Sequence, residues 1–182
     1  RRPGRDVRPT AAVTEGSETP AIRETFAAIY QDGVWTDNLP GMPRSGRGAL
    51  MEHSRPVAEY VVRRIRSGQA RSIADLGCGD LTYIAQIPEI TSGAVPYLGI
   101  DVVPELIEEH RRLPWGEFRV ADITAPGFRV DADLVIVKDV LFHLETAQAL
   151  RAIENLRASR WRWLIATSMP VTSNETRTFD RW

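Results

Sequence analysis

The stretch "SIADLGCGDLTYIAQI", residues 72–87, joins an apolar run to a turn that holds two glycines and two aspartates. The apolar residues 72–76 are typical of a buried strand, and residues 81–87 have the pattern of a helix. A turn between such a strand and a helix lies at the carboxyl end of the strand, where open α/β sheets bind ligands. We therefore expect this turn to organise both the fold and a binding site.

Short apolar runs alternate with helical segments along the rest of the chain. Such alternation predicts an α/β fold with a Rossmann-like, doubly wound, mostly parallel sheet and right-handed crossovers. The run at 132–140 is nearly all apolar, which predicts burial on both faces. The other predicted strands cover residues 95–101, 117–123 and 161–169, and the predicted helices cover 103–113 and 145–158, the latter with Ala147, Leu150 and Ile153 facing inward.

The chain before the first strand has a different pattern. Residues 1–19 are rich in Arg, Pro, Gly, Thr and Glu, which predicts a flexible tail. Ile22, Phe26 and Ile29 then repeat on one face of an amphipathic helix. A second helix, beginning or kinking between Ser54 and Pro56, follows a stretch rich in glycine and proline. We expect these helices to form a cap.

The net charge, the cysteine count and the length of the apolar stretches exclude several classes of protein. The 182 residues carry a formal net charge of −1, so no overall field attracts nucleic acid or an anionic membrane. Cys78 is the single cysteine, which rules out a disulfide within the chain. There is no apolar stretch long enough for a membrane span. We expect a cytoplasmic protein.

The charges of the turn argue against a phosphate-binding loop. The dinucleotide fingerprint G-x-G-x-x-G needs a glycine where this chain has Thr82. Asp80 stands where a diphosphate would bind the helix, and Asp75 precedes the turn, so two carboxylates would repel it. They would suit a cationic nucleoside without phosphates, such as S-adenosylmethionine. The alternative is that Asp80 only caps the helix that it begins.

The segment "DLGCGD" (75–80) resembles the first motif of class I S-adenosylmethionine-dependent methyltransferases, and the resemblance extends over about residues 21–170. It implies that Asp75 binds the amino group of the cofactor and that Gly77, Cys78 and Gly79 wrap its methionine part. The usual third glycine of the motif is Leu81 here.

Two later strand ends carry acids in the order that the resemblance implies. Asp101 ends "YLGID" and would accept hydrogen bonds from both ribose hydroxyls, with Val102 beside the adenine. In "VADIT" (120–124), Asp122 and the amide of Ile123 would bind the adenine edge. The alternatives are a structural cap at Asp101 and an ordinary strand-end acid at Asp122.

The segment "VIVKDVLFHL" (135–144) resembles the part of the family that lines the methyl-transfer site. Lys138, the only lysine of the chain, would lie near the cofactor and needs a partner there. Asp139 is a candidate for that partner, for a contact of the methionine part of the cofactor, or for a catalytic group. His143 is a candidate general base, since the ordinary pKa of histidine is near neutrality. The alternative for His143 is a structural role.

"FAAIYQDGVW" (26–35) followed by "SGRG" (45–48) resembles the lid of bacterial small-molecule and sugar-associated methyltransferases. The resemblance implies that Tyr30, Trp35 and Ser45 cover the cofactor, where an aromatic ring would contact the sulfonium. Tyr83 is a further candidate pocket residue. The alternative is an ordinary amphipathic helix with core aromatics.

Together these features predict metal-independent methyl transfer from S-adenosylmethionine, which leaves S-adenosylhomocysteine, to an oxygen or nitrogen of a small molecule. Alternatives are a noncatalytic cofactor-binding or partner-binding protein and a macromolecule methyltransferase. We expect no nucleic acid or membrane partner, and homo-oligomers are possible. Since five strands are predicted where the family has seven, either the protein is a shortened variant that lacks the C-terminal hairpin or the hairpin lies beyond residue 182. The expected parts are a tail (1–19), a helical lid (20–70), a cofactor-binding core (71–170) and a truncated or irregular end (171–182).

Overall fold

The computed structural model describes residues 20–37 and 39–168; the predicted tail at 1–19 and the predicted end segment at 171–182 lie outside them. The predicted α/β fold is confirmed. Five strands form one parallel sheet in the order β3-β2-β1-β4-β5. The strands are β1 (Ile73–Leu76), β2 (Tyr97–Asp101), β3 (Glu117–Val120), β4 (Asp131–Val137) and β5 (Arg160–Ala166).

The strand order places a crevice above β1. The chain runs outward from β1 through β2 to β3, and then returns to add β4 and β5 on the other side. Connections from β1 and β4 therefore leave the sheet in opposite directions, and ligands bind at such a switch point. Asp75 pairs with Ile136 across this point, so the residues that follow β4 lie beside the turn that follows β1.

Helices cover both faces of the sheet. Side chains of β1 alternate between the two cores: Ala74 and Leu76 join one cluster and Ile73 the other. The first cluster includes the predicted face of the N-terminal helix, which confirms that helix as amphipathic. The helices are α1 (Pro20–Asp32), α2 (Met51–Arg66), α3 (Pro88–Thr91), α4 (Pro104–His110) and α5 (Thr146–Arg157).

The predicted inward face of α5 is wrong. Ala147 is exposed, Leu150 is 56% exposed and Ile153 is 40% exposed. Asn155 is buried instead, because its carboxamide donates to the carbonyls of Ile123 and Ala125 at 2.8 and 2.9 Å. A polar residue with two partners in the interior fixes the rotation of the helix, although apolar periodicity alone favours another face.

The helix predicted at residues 81–87 is also wrong. Only a 3-10 turn (Ile84–Gln86) forms there, followed by the one-turn helix α3. Leu81 has a φ of 61°, which an α-helix does not tolerate, and Pro88 begins the next element. The second predicted helix starts earlier than expected, at Met51, so that Ser54 and Pro56 lie inside its first turns.

Candidate functional site

A deep cleft opens at the carboxyl edge of the sheet, between the loops after β1 to β4 and the segment around α1. The structure brings every residue of the predicted site to the wall of this cleft, together with Ser45, Asp80 and Tyr83. Which of them contact a ligand stays a prediction. The predicted residues that line it are Tyr30, Trp35, Asp75, Gly77, Cys78, Gly79, Asp101, Val102, Asp122, Ile123, Lys138, Asp139 and His143.

Every backbone N–H of the glycine turn, from residue 77 to residue 82, donates to an acceptor within the protein. The acceptors come from β2, from the loop before α2 and from the turn itself. The donations run from Gly77 and Cys78 to the carbonyl of Ile100 (2.8 and 3.0 Å), from Gly79 to Asp101 Oδ2 (2.9 Å), from Asp80 to Ser45 Oγ (2.9 Å), from Leu81 to the carbonyl of Cys78 (3.3 Å) and from Thr82 to Asp80 Oδ1 (3.1 Å).

The turn is therefore not built as a phosphate cradle, which works by pointing unpaired N–H groups at an anion. The alternative that Asp80 caps a helix is wrong, because no helix begins there; its Oδ1 instead accepts from both the amide and the hydroxyl of Thr82 within the turn. Its Oδ2 accepts the N–H of Ser45 at 3.0 Å. The charge of Asp80 remains on the turn, but its carboxylate oxygens already have donors within the protein.

The two glycines of the turn make room for neighbouring protein groups. A Cβ at Gly77 would lie 2.4 Å from Val140 Cγ2, and a Cβ at Gly79 would lie 2.4 Å from Ser45 Oγ and 3.0 Å from Tyr30 Oη. The sequence predicts that these glycines let a ligand approach the backbone. The space beside each is filled by the loop after β4 and by the lid, so glycine is required by packing within the chain.

Leu81 takes the place of the usual third glycine and keeps a glycine-like backbone. Its φ of 61° is in the left-handed region, which costs a residue with a side chain about 1 kcal/mol. The side chain is buried in the core below the turn. Burial of this leucine outweighs the strain, since a buried Leu is worth about 2 kcal/mol.

Asp75 lies at the end of β1 and is 2% exposed. Tyr97 Oη donates to its Oδ2 at 2.9 Å. Burial raises the pKa of the Asp75 carboxyl to about 7, although the hydrogen bond from Tyr97 and the charge of Lys138 act in the opposite direction. A buried carboxyl of this kind is stabilised as an anion by a cationic partner, which fits an ammonium ligand.

Asp101 and Asp122 follow in the neighbouring loops. Asp101 Oδ2 accepts from Gly79 and its Oδ1 accepts the N–H of Val103 at 3.0 Å, while burial raises the pKa of this carboxyl. These bonds hold the turn after β2, but α4 has no side-chain cap, so the predicted alternative of a helix cap at Asp101 is wrong. The two oxygens of a carboxylate have about four acceptor sites, which leaves capacity for a ligand hydroxyl. Asp122 Oδ1 accepts the N–H of Thr124 at 2.7 Å. Half-buried Val102 lines the cleft between these acids.

Lys138 and Asp139 form an ion pair just beyond β4. The Lys138 ammonium, with a side chain only 8% exposed, also donates to the carbonyl of Gly48 at 2.8 Å. Asp139 has a φ of 56°, a strained value for this residue. The Thr167 hydroxyl accepts the N–H of Asp139 at 2.7 Å and donates to Asp139 Oδ1 at 2.8 Å. The carboxylate of Asp139 is therefore fixed in position.

Aromatic rings close the cleft on the lid side. The rings of Trp35 and His143 lie 4.9 Å apart at 36°, and Tyr30 meets Trp35 edge-on at 5.5 Å. Tyr30 Oη and Ser45 Oγ share a hydrogen bond of 2.8 Å. All three rings line the cleft, but Phe26 of α1 is buried in the core, whereas Tyr30 and Trp35 are half-buried. The lid interpretation thus fits these two rings, and core packing fits Phe26.

No protein-family model and no curated protein matches the chain. Several solved structures do match the chain. Magnesium protoporphyrin IX methyltransferase (ChlM) from Synechocystis PCC 6803 with bound SAH superposes with a TM-score of 0.54 at 18% identity, covering 78% of this chain and 67% of that one. The chain has the fold of class I S-adenosylmethionine-dependent methyltransferases. A DhpI complex with SAM and HEP gives a TM-score of 0.50 at 20% identity, covering 79% and 63%.

These identities establish the methyltransferase fold alone. The chain spans about two thirds of the length of the two structures. The first structure contains SAH and the second contains SAM. Within residues 20–37 and 39–168, no group of three or more His, Cys, Asp or Glu side chains could hold a metal ion, and no helix is long and apolar enough to cross a membrane.

Several groups that shape this cleft have no signal in the sequence. Thr167 falls in a stretch predicted as a strand, yet it lies just beyond β5 and orients Asp139. Asn155 holds the loop that carries Asp122 and Ile123, through bonds to carbonyls about 30 residues away in the chain. His110 Nε2 lies 2.7 Å from the carbonyl of Gly79. Each contact joins distant segments, and no local pattern contains it.

Proposed function

We propose that the protein transfers a methyl group from S-adenosylmethionine to an oxygen or nitrogen of a small molecule, such as a sugar or a natural product. The observation that carries this proposal is the combination, in one cleft, of buried acids at adjoining strand ends with a turn whose N–H groups are all engaged. Such a site favours an adenosine compound with positive charge and no phosphate. The fold supports the same ligand, since neighbours of this fold contain it.

In the proposed complex, Asp75 binds the ammonium of the cofactor and Asp101 binds the ribose hydroxyls. Val102, Asp122 and Ile123 contact the adenine. The cofactor supplies an electrophilic methyl group on a sulfonium. Trp35 and Tyr30 line the cleft, and an aromatic ring within about 6 Å of a cation stabilises the cation.

The acceptor would bind between the lid and the loop after β4. Methyl transfer is an in-line displacement, so holding the acceptor in line supplies much of the acceleration. Asp139 is fixed by Thr167 and Lys138, and its carboxylate is suited to bind an O–H or N–H of the acceptor. His143, held against Trp35, is the candidate base that takes the proton of a hydroxyl acceptor. An amine acceptor would arrive deprotonated and would need no base. That the transfer needs no metal ion stays a prediction.

Calorimetric titration with S-adenosylmethionine, S-adenosylhomocysteine and NAD tests this proposal. We expect micromolar binding of the first two only. Asp101→Ala should weaken both about tenfold or more, because charged hydrogen bonds to the ribose are lost. Binding of NAD with similar affinity would refute the phosphate-free assignment.

The second candidate is a partner-binding protein that holds the cofactor without turnover. The exposed Leu150 and Ile153 on α5 support it, since apolar side chains one turn apart on a helix surface suit a partner. Cofactor binding without product from a broad panel of sugar, phenol and amine acceptors would favour this candidate. Methylated product from any of them would favour the enzyme.

A further inference from the structure

Two consecutive residues at the end of α4 hold a loop that borders the cleft. We call this loop, residues 39–49, the lid loop. Glu109 accepts from both terminal nitrogens of Arg44, at 3.2 and 2.5 Å. His110, the next residue, contacts the carbonyl of Gly79 through Nε2 at 2.7 Å. The end of α4 thus reaches the lid loop at Arg44 and the glycine turn at Gly79.

The contact of His110 also fixes the direction of a neighbouring N–H group. In a planar trans peptide, the carbonyl of one residue and the N–H of the next point in opposite directions. His110 holds the carbonyl of Gly79, and Ser45 Oγ accepts the N–H of Asp80 at 2.9 Å. These two contacts pin the opposite ends of one peptide group. Holding the carbonyl therefore aims the N–H at the lid loop.

Both partners of this peptide group are held in place. His110 is 5% exposed, and its ring lies 5.4 Å from the ring of Phe118. A carbonyl oxygen only accepts, so Nε2 of His110 carries the proton in the contact with Gly79. On the other side, the N–H of Ser45 donates to Asp80 Oδ2 at 3.0 Å. The lid loop and the turn are thus joined by a reciprocal pair of hydrogen bonds.

We propose that His110 and Glu109 form a latch that keeps the lid loop closed and sets the rate at which the cofactor enters and leaves. His110 is a positioning residue in this latch, and the inference rests on the proposed function. Neither residue lines the cleft, so the latch stabilises the closed loop equally with and without cofactor. Loosening it should raise the association and release rates together and leave the dissociation constant nearly unchanged.

Stopped-flow fluorescence with S-adenosylhomocysteine measures both rates, with Trp35 in the cleft as the reporter. His110→Leu removes the donor and should raise both rates about tenfold, because a buried carbonyl loses its hydrogen bond. His110→Gln keeps an N–H donor and should give rates close to those of the wild type. The dissociation constant should stay within about threefold in both variants.

Glu109→Gln tests the ion pair with the lid loop. The side chain of Glu109 is 50% exposed, so both rates should rise only about two- to threefold. Salt at about 0.5 M should produce the same rise in the wild type and none in Glu109→Gln, because it screens the pair. Glu108→Gln is the matched control. Glu108 pairs with Arg111 beside it and not with the lid loop, so this variant should change neither rate.

Hydrogen exchange without ligand provides a second readout. Amides of the lid loop should exchange about tenfold faster in His110→Leu than in the wild type or His110→Gln. Unchanged exchange, unchanged rates, or a weaker dissociation constant with an unchanged association rate would each overturn the latch. If His110→Leu does not fold, Glu109→Gln and the salt dependence decide. If the wild type binds no S-adenosylhomocysteine, the proposed function fails, and exchange in the lid loop still decides whether the latch exists.

Discussion

Replacing Asp75 with asparagine should stabilise the ligand-free protein at pH 8 while weakening cofactor binding. Burial raises the pKa of Asp75 from an ordinary 3.8 to about 7. The folded protein therefore holds this proton more tightly than the unfolded chain. The stability that the protonated group contributes is fully present below pH 3.8 and is lost as the pH rises to about 7. At 1.36 kcal/mol per pKa unit, the loss is about 4 kcal/mol.

The carboxamide introduced by Asp75→Asn is neutral at every pH and keeps an oxygen to accept from Tyr97. The variant should thus exceed the wild type in unfolding free energy by roughly 1.5 kcal/mol at pH 5 and by about 4 kcal/mol at pH 8. Urea unfolding followed by tryptophan fluorescence measures this difference. Other carboxyl groups titrate in both proteins. The change with pH in the difference between their unfolding free energies therefore reports on Asp75.

Asp37→Asn is the matched control. Asp37 is an exposed acid whose side chain pairs with Arg47 on the surface, so its removal should give a small difference that does not grow with pH. The affinity of Asp75→Asn for S-adenosylhomocysteine should fall about tenfold or more, since a charged hydrogen bond is lost. A stability difference that stays constant between pH 5 and pH 8 would refute the reasoning, because Asp75 would then ionise at an ordinary pKa.

Two further predictions concern the lid and the acceptor side. Gly79→Ala should lower the unfolding free energy by about 1–3 kcal/mol and raise hydrogen exchange in the lid loop, because the new Cβ meets Ser45 Oγ at 2.4 Å; unchanged exchange would contradict the packing role of this glycine. With a hydroxyl acceptor, His143→Gln should lower kcat by about 100-fold or more while S-adenosylhomocysteine affinity stays within about threefold. Full activity of His143→Gln would assign the proton transfer to another group, and Asp139→Asn would be the next variant to measure.

The sheet was predictable because each strand carries its own local signal. The apolar composition of residues 132–140 alone predicts a buried strand, and β4 occupies most of this run. The gathering of Asp75, Asp101 and Asp122 at one cleft follows from the same prediction. Carboxyl ends of parallel strands meet at one edge of the sheet, so strand-end acids must lie together.

The details that control the chemistry were not predictable, because they depend on partners far away in the chain. Whether Leu150 or Asn155 faces inward is decided by two carbonyls in the loop after β3. The orientation of Asp139 is decided by Thr167, 28 residues later. Apolar periodicity measures burial of side chains, and it contains no information on a polar group that is buried because its partner is there.

Exclusion of phosphate by the glycine turn also depends on a distant partner. The charges of Asp75 and Asp80 already disfavour phosphate in the sequence, yet the donors of the turn give a stronger physical reason. The Asp80 N–H is engaged by Ser45, a residue of the lid that lies 35 positions earlier. Displacing the lid would free this N–H, but it would also free the Asp80 oxygen that accepts from Ser45. A phosphate that reached the opened turn would thus meet one new donor and a carboxylate beside it, so the turn disfavours phosphate with the lid closed or open.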